Sequence, residues 1–411
     1  MSRDLSLPYG MVAPLMDPPR RLRIAYAIDT FDGVKTGGVI SAKRFVAALR
    51  ERHDVTVIAG GPSSEGQVGL PRFTIPPFGR VMREMGFIFA WPSRAILEPV
   101  LREADVLHVQ FPFWFGIRAA GLARRLGTPV VAASHLQPEN MFHNIGIHSE
   151  WLVERTWRFF ISALYGRANH VVVPTAFGLQ ELKRRGLTTP ADIVSNGIPP
   201  QFRPGPVVRD ARFGDHFVVL GVSRLAKEKR IDVIIEAVRR SRHADRIQLV
   251  LYGHGPEEAR LRQLSATLPL PAEIRVVEEV DMPAAMRAAD LLVHASEIEL
   301  EGMAVLEALG VGLPTLVADA PMSAAARLAI SDEFLFPPGD SNALAGRIDH
   351  LFEHRERLAA ARQANLAAAE SLRLETSIAR MEAIYEKVAR PPRASEPAAR
   401  AAPATASRAA P

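Results

Sequence analysis

Three glutamates stand at alternate positions, Glu297, Glu299 and Glu301, ahead of Gly302, and a fourth, Glu307, lies eight residues beyond Glu299. In one unbroken helix Glu299 and Glu307 would be about 12 Å apart along the axis, at ~1.5 Å per residue. That is too far for two carboxylates to share a proton. A loop that turns into a helix brings both into one pocket instead. An apolar run at 291–294 precedes the acids, and an apolar helix opening at 303–309 follows them. Strand, glycine-bearing loop and helix N-terminus form an anion site, because free amides and the helix dipole point at the ligand. The pattern predicts a phosphate at Gly302, Met303, Ala304 and Val305, with carboxylates to grip hydroxyls beside it. Acids early in a helix are favoured by the dipole alone, so other parts of the chain must decide between the two readings.

A second group supplies cations. The loop Ser223-Arg-Leu-Ala-Lys-Glu-Lys229 follows the strand-like run 217–222. From a strand end, Arg224 and Lys229 can neutralise a diphosphate. A third group lies early in the chain, where Gly37 and Gly38 separate the strand candidate 22–28 from a helix at 39–52. This loop is not Gly-x-Gly-x-x-Gly, so a dinucleotide is not indicated. His135 follows the strand candidate 129–133, within Ser-His-Leu-Gln-Pro-Glu-Asn. Ligands in open parallel sheets sit at the carboxyl ends of strands, which places His135, Glu139 and Asn140 where chemistry would be. Asn196 and Gly197 end another strand, and Gly253 and Gly255 form a turn before a helix.

The elements that must position these groups alternate between strand and helix in two successive sets. The expected fold is α/β, with two Rossmann-like doubly wound domains facing a cleft. Residues 1–20 read as a flexible lead and 21–198 as the acceptor-side domain. Residues 199–206, with prolines at 199, 200, 204 and 206, read as a linker. Residues 207–373 read as the domain for a phosphorylated ligand. Residues 374–390 read as a helix crossing back to the first domain, and 391–411 as a disordered tail of small residues, proline and arginine.

Composition narrows the classes. At 411 residues, 48% hydrophobic and 23% charged, the chain is globular and larger than one ordinary core. It has no cysteine, which excludes disulfides and thiol catalysis. The formal charge of +5 favours anionic partners. Nucleic acid is not expected, since no motif interleaves the basic residues with stacking aromatics. No apolar run approaches the ~20 residues that span a membrane, and the start lacks a signal peptide's basic and apolar regions. The expected location is cytoplasmic, or peripheral on the inner face of the cell membrane.

Together the motifs resemble glycosyltransferase family 4, the retaining nucleotide-sugar enzymes of the two-Rossmann-domain type (GT-B), over roughly residues 22–388. Glu299 and Glu307 match the family's Glu-x7-Glu pair, and Arg224 and Lys229 its donor-phosphate pair. Gly37 and Gly38 match its glycine loop. Asn196-Gly197 and Gly253-x-Gly255-Pro256 match its loops facing the other domain. Leu-Glu-Gly-Met-Ala-Val-Leu-Glu-Ala and His-Leu-Gln-Pro-Glu-Asn look like the branch containing diacylglycerol and sterol α-glucosyltransferases.

The resemblance implies a nucleotide-diphosphate sugar as substrate, with UDP-sugar the family's expectation, and no cofactor. It places the ribose hydroxyls at Glu307, and the transferred sugar near Glu299 and the backbone of 302–304. It gives Arg224 and Lys229 the charge on the leaving diphosphate, and His135 the sugar and acceptor site. Retention follows from same-face attack, with the leaving phosphate taking the acceptor proton. No Asp-x-Asp occurs, so no metal bridge is expected. A hydrolase-like carboxylate pair is the competing picture, and the Glu299–Glu307 spacing argues against it. A two-lobed binder without catalysis, a sugar-nucleotide epimerase of the same architecture, and a transferase for saccharide or other soluble acceptors stay open. So do the base, the sugar, the linkage and the oligomeric state.

Two segments carry the expectation of a lipid acceptor on an anionic membrane. One is 78–91, with Arg80, Met82, Arg83, Phe87, Phe89 and Trp91. The other is 151–167, with Arg155, Trp157, Arg158, Phe159 and Phe160. Cations mixed with large apolar side chains are the ingredients of interfacial binding.

Overall fold

The computed structural model describes residues 20–32, 36–74, 88–144 and 146–391. Arg80, Arg83 and Phe87 lie outside the described residues. The first half holds a seven-stranded sheet of β1 (Arg23–Ala27), β2 (Asp54–Gly60), β3 (Gln67–Leu70), β4 (Val106–Val109), β5 (Val130–Ala133), β6 (His170–Val173) and β7 (Ala191–Ile193). Their order is β3-β2-β1-β4-β5-β6-β7, with every pairing parallel.

These strands are apolar on both faces, as a parallel sheet covered by helices requires. Leu107, Val109, Val130 and Ala132 point to one side, with helices Arg94–Glu103, Trp114–Arg125, Glu150–Ala163 and Ala176–Arg184. Val106, Val131 and Ala133 point to the other, with helix Gly37–Arg50 and the last helix, Leu374–Val388.

The second half repeats the plan. Its sheet is β8 (Phe217–Val222), β9 (Ile247–Tyr252), β10 (Glu273–Arg275), β11 (Leu291–His294), β12 (Thr315–Ala318) and β13 (Leu335–Phe336), ordered β10-β9-β8-β11-β12-β13 and all parallel. In each sheet the strand order reverses beside the first strand, at β1/β4 and at β8/β11. Crevices at such reversals are where open α/β sheets bind ligands. The Arg224–Lys229 loop leaves β8 and the glutamate loop leaves β11, so adjacent strands deliver both to one place.

The chain passes twice between the halves. Ile198 donates its amide to Leu372 at 2.8 Å, and Leu374 donates back to Ile198 at 3.0 Å. Gly197 sits at φ +72°, and a Cβ there would meet the Leu374 Cα at 2.6 Å. Glycine is thus required where the two crossing segments touch. Beyond that clasp, Ile378, Met381, Ile384 and Tyr385 pack into the first sheet's core.

Several local features escape periodicity. Helix Arg94–Glu103 forms despite Pro99, because Leu97 and Leu101 are buried against the first sheet. Edge strand β3 and the short helix Pro138–Asn144 carry too few residues to show a period. After the strand at 322–323 the chain makes only a 3₁₀ turn, Ala325–Leu328. The loop ahead of Gly302 contains a two-residue strand, Ile298–Glu299, paired in parallel with Met322–Ser323.

Candidate active site

That short ladder aims Glu299. Ala324 donates its amide to the Glu299 carbonyl at 2.8 Å, so the backbone is tied from the far side. The carboxylate points inward and accepts from Lys229 Nζ at 2.8 Å. His294 Nε2 stands 3.6 Å away, beyond hydrogen-bond length. Burial pushes the Glu299 carboxyl up, but Lys229 and His294 outweigh it and its pKa lies below the usual value. Burial, aided by the Lys229 charge, depresses His294 to about 4, so the ring is neutral.

Gly302 caps the next helix, Met303–Val311, at φ +90°. A Cβ there would lie 2.8 Å from that of Ala325. Gly302, Met303 and Ala304 line the cleft with the helix N-terminus. Val305 does not: its side chain is fully buried in the core, and its amide donates to the Gly302 carbonyl at 2.9 Å. The predicted phosphate contact therefore narrows to residues 302–304.

Glu307 opens onto the same cleft one turn further along. Its Oε1 accepts from Arg44 of the first half at 2.7 Å. Burial raises its pKa and Arg44 opposes the rise. Glu299 and Glu307 thus each have a cation of their own, which does not fit a pair sharing a proton.

The third acid of the alternating set has a different task. Glu301 is buried and accepts from the Asn196 amide at 2.9 Å and from Asn196 Nδ2 at 2.5 Å. Ser41 hydrogen-bonds to Asn196 Oδ1 in turn. Burial pushes Glu301 up to about 7. Glu297 turns aside and pairs with Arg230.

Arg224 and Lys229 both line the cleft, and Arg224 also donates to Glu228 at 3.2 Å. Gly253 lines it as well. Gly255 does not; a Cβ there would collide with the Leu225 carbonyl oxygen at 2.4 Å, so this glycine lets the turn pack against the 223–229 loop.

From the first half come Gly37, Gly38, His135 and Asn140. A Cβ on Gly38 would meet the Phe111 ring at 2.8 Å. Burial lowers His135 to about 4, leaving a neutral imidazole facing the cleft. Glu139 is not in the cleft: it accepts from Trp157 Nε1 at 2.9 Å and pairs with Arg185, clamping two helices together. The whole crevice measures about 410 Å³ and draws its walls from both halves.

Glu301 was singled out by sequence only as one of three alternating acids, and Arg44 and Ser41 were not singled out at all. Their one signal is that Gly37, Ser41 and Arg44 recur at helical spacing.

Of the proposed membrane residues, Trp91 is exposed and outside the cleft. Trp157 and Phe160 are core, whereas Trp151 (66% exposed) and Phe159 (52%) are on the surface. Among the described residues, no helix is long and apolar enough to cross a membrane.

Comparison with known proteins places the chain. Residues 36–202 match the family model described as Glycosyltransferase Family 4, and residues 209–367 that described as Glycosyl transferases group 1. A GDP-mannose-dependent alpha-mannosyltransferase of Corynebacterium glutamicum is 26% identical over 319 residues, 73% of this chain and 73% of its own. An alpha-monoglucosyldiacylglycerol synthase of Acholeplasma laidlawii is 24% identical over 310 residues, 69% of this chain and 76% of its own. The structure of Anabaena HepE in complex with UDP-glucose is similar in fold, with a TM-score of 0.70 at 18% identity, covering 89% of this chain and 100% of HepE. The chain belongs to the glycosyltransferases of family 4, in the two-domain GT-B architecture.

Proposed function

From that membership we propose that the chain is a retaining hexosyltransferase, moving a hexose from a nucleotide-diphosphate sugar to a hydroxyl of a membrane lipid such as diacylglycerol. One observation carries the transfer reading. Arg224, Lys229 and a free helix N-terminus converge with Glu299 and Glu307 in one crevice between the halves. Cations and amides suit a diphosphate, and carboxylates suit sugar and ribose hydroxyls.

In the reaction, the bond from the anomeric carbon to the β-phosphate oxygen breaks. The acceptor oxygen bonds that carbon on the same face, and its proton passes to the departing phosphate. Arg224 and Lys229 stabilise the charge growing on the leaving group, often the largest catalytic contribution. Glu299 and the 302–304 backbone hold the hexose, and Glu307 the ribose. Neutral His135 offers a ring nitrogen to a sugar or acceptor hydroxyl. With cationic side chains on the diphosphate, no metal bridge is needed.

Two observations support the lipid acceptor. A relative is named for diacylglycerol. Trp114, Trp151 and Phe159 are exposed on two helices of the acceptor-side half. Arg118 and Arg155 lie over Trp114 and Trp151 at 5.3 and 5.4 Å, in keeping with a peripheral position on an anionic bilayer. UDP-sugar is the first donor to test and GDP-sugar the second, since one relative is named for GDP-mannose.

The test is a transfer screen with UDP- and GDP-hexoses against diacylglycerol vesicles and soluble saccharides, read by mass spectrometry. A hexose added to diacylglycerol is expected. Consumption of no donor would remove the transferase reading, and products on saccharides alone would remove the lipid.

A further inference from the structure

Helix Gly37–Arg50 carries more than a glycine loop. Gly37, Ser41 and Arg44 recur at i, i+4 and i+7, which places them on one stripe. Each meets a different part of the second half. A Cβ on Gly37 would lie 3.4 Å from Met303 Sδ. Ser41 reaches Glu301 through Asn196. Arg44 spans two carboxylates, donating to Glu307 Oε1 at 2.7 Å and to Glu279 Oε1 at 2.8 and 3.0 Å. Its guanidinium lies over the Phe202 ring at 5.8 Å. The Arg44 side chain is 9% exposed and that of Glu307 10%, whereas that of Glu279 is 52% exposed. An exposed acid, a linker ring and a buried acid thus fix the orientation of one guanidinium.

We propose that Arg44 is a positioning residue for the donor: it fixes Oε1 of Glu307 from across the cleft and leaves Oε2 to accept the two hydroxyls of the donor ribose. This rests on the reading of the cleft as a nucleotide-sugar site and of Glu307 as its ribose contact.

The chemistry requires the cation. A carboxylate accepts two hydroxyl protons, whereas a protonated carboxyl must itself donate. Two charged groups act on Glu307, Arg44 from the first half and Glu279 from the loop after β10. Burial raises the Glu307 carboxyl, Arg44 opposes the rise, and Glu279 adds to it. Without Arg44, burial and Glu279 act together and the protonated form extends to higher pH. The same contact joins the two halves, so donor affinity depends on a residue outside the donor-binding half.

The test measures binding of UDP and GDP and of their 2′,3′-dideoxy forms by calorimetry, from mildly acidic to mildly alkaline pH. The wild type should prefer the ribonucleotide by roughly tenfold or more, the range for hydrogen bonds to a charged group. In Arg44→Gln the preference should fall, and its loss on acidification should set in at higher pH than in the wild type. Arg44→Lys should restore the preference. Glu279→Gln, at an exposed position that leaves folding intact, should move the acid limb of ribonucleotide binding to lower pH.

An unchanged preference and pH profile in Arg44→Gln would reduce Arg44 to a structural tie. If Arg44→Gln fails to fold, an unmoved acid limb in Glu279→Gln overturns the proposal by itself. A wild type that binds none of the nucleotides overturns the donor-site reading, and this proposal with it.

Discussion

The hydroxyl of Tyr385, on the last helix, lies 2.8 Å from Nδ1 of His108 in the first sheet. His108 Nε2 is 3.3 Å from Gln110 Oε1, and Gln110 Nε2 donates to the Gly38 carbonyl at 3.0 Å. Tyr26 donates to the same Gln110 oxygen at 2.6 Å and stacks on the His108 ring. Burial lowers His108 to about 3 and raises Tyr385, so both are neutral. The terminal helix therefore reaches the glycine loop of the cleft through a buried polar chain.

Tyr385→Phe keeps the ring in the core and removes the donor to His108. Leaving a buried nitrogen unpaired costs about 1–3 kcal/mol. Chemical denaturation should show a loss in that range, with the midpoint shifted and the slope unchanged. Equal stability of the variant would mean that the contact contributes nothing.

Lys229→Ala removes the cation proposed to face the diphosphate and leaves Glu299 without its partner. Loss of one such group costs roughly 10²–10³ in turnover. Glu307→Ala should weaken donor use through the ribose. Both variants should keep the wild-type circular dichroism spectrum, and activity of the wild type should survive EDTA. Near-wild-type rates in both variants, or a loss on chelation that added metal restores, would reassign the work of neutralising the phosphate.

Glu301 offers a test by pH. Its carboxyl is raised to about 7 by burial, against ~4.3 in an unfolded chain. Folding then favours the protonated form. Its contribution is fully present below about 4 and is lost as pH rises through 7. Glu301→Gln keeps an oxygen for Asn196 and cannot ionise. Relative to wild type, the variant should gain thermal stability from about pH 4 to 7, by at most ~1.4 kcal/mol per pH unit. Parallel melting profiles for the two proteins would exclude the assignment.

Membrane docking is tested on vesicles. Binding should rise with anionic lipid, fall with salt, and weaken in Arg155→Glu/Arg158→Glu by ~1 kcal/mol or more per cation. Trp151→Ser should weaken it independently of salt. Indifference to anionic vesicles would leave the glycosyltransferase and remove its lipid surface.

Much of this was legible from residue order. Apolar runs of four to six residues alternating with helical stretches specify parallel strands covered on both faces. Glu299, Arg224, Lys229 and the Gly302 helix start stand out because each follows a strand directly. The terminal helix was legible as a helix from its length and apolar spacing. Local sequence does encode strands, turns and helix starts, because backbone conformation and the burial of one face are set within a few residues.

Partners across the cleft are set by the way two separately folded sheets meet. Arg44 lies 263 positions from Glu307 in the chain, and Ser41 lies 155 from Asn196. Helical spacing puts both on one face with Gly37, but no local pattern says what that face meets. The same cause divides the alternating glutamates. Their spacing is uniform, yet one faces Lys229, one holds Asn196 and one turns out to Arg230, because a two-residue strand and a helix cap set their directions. Val305, Gly255 and Glu139 have the right types in the right places, but packing turns them to the core, under a turn and between two helices. Sequence determined which chemistry the chain could carry. Tertiary structure decided which side chains carry it, because orientation and burial depend on contacts that no local stretch contains.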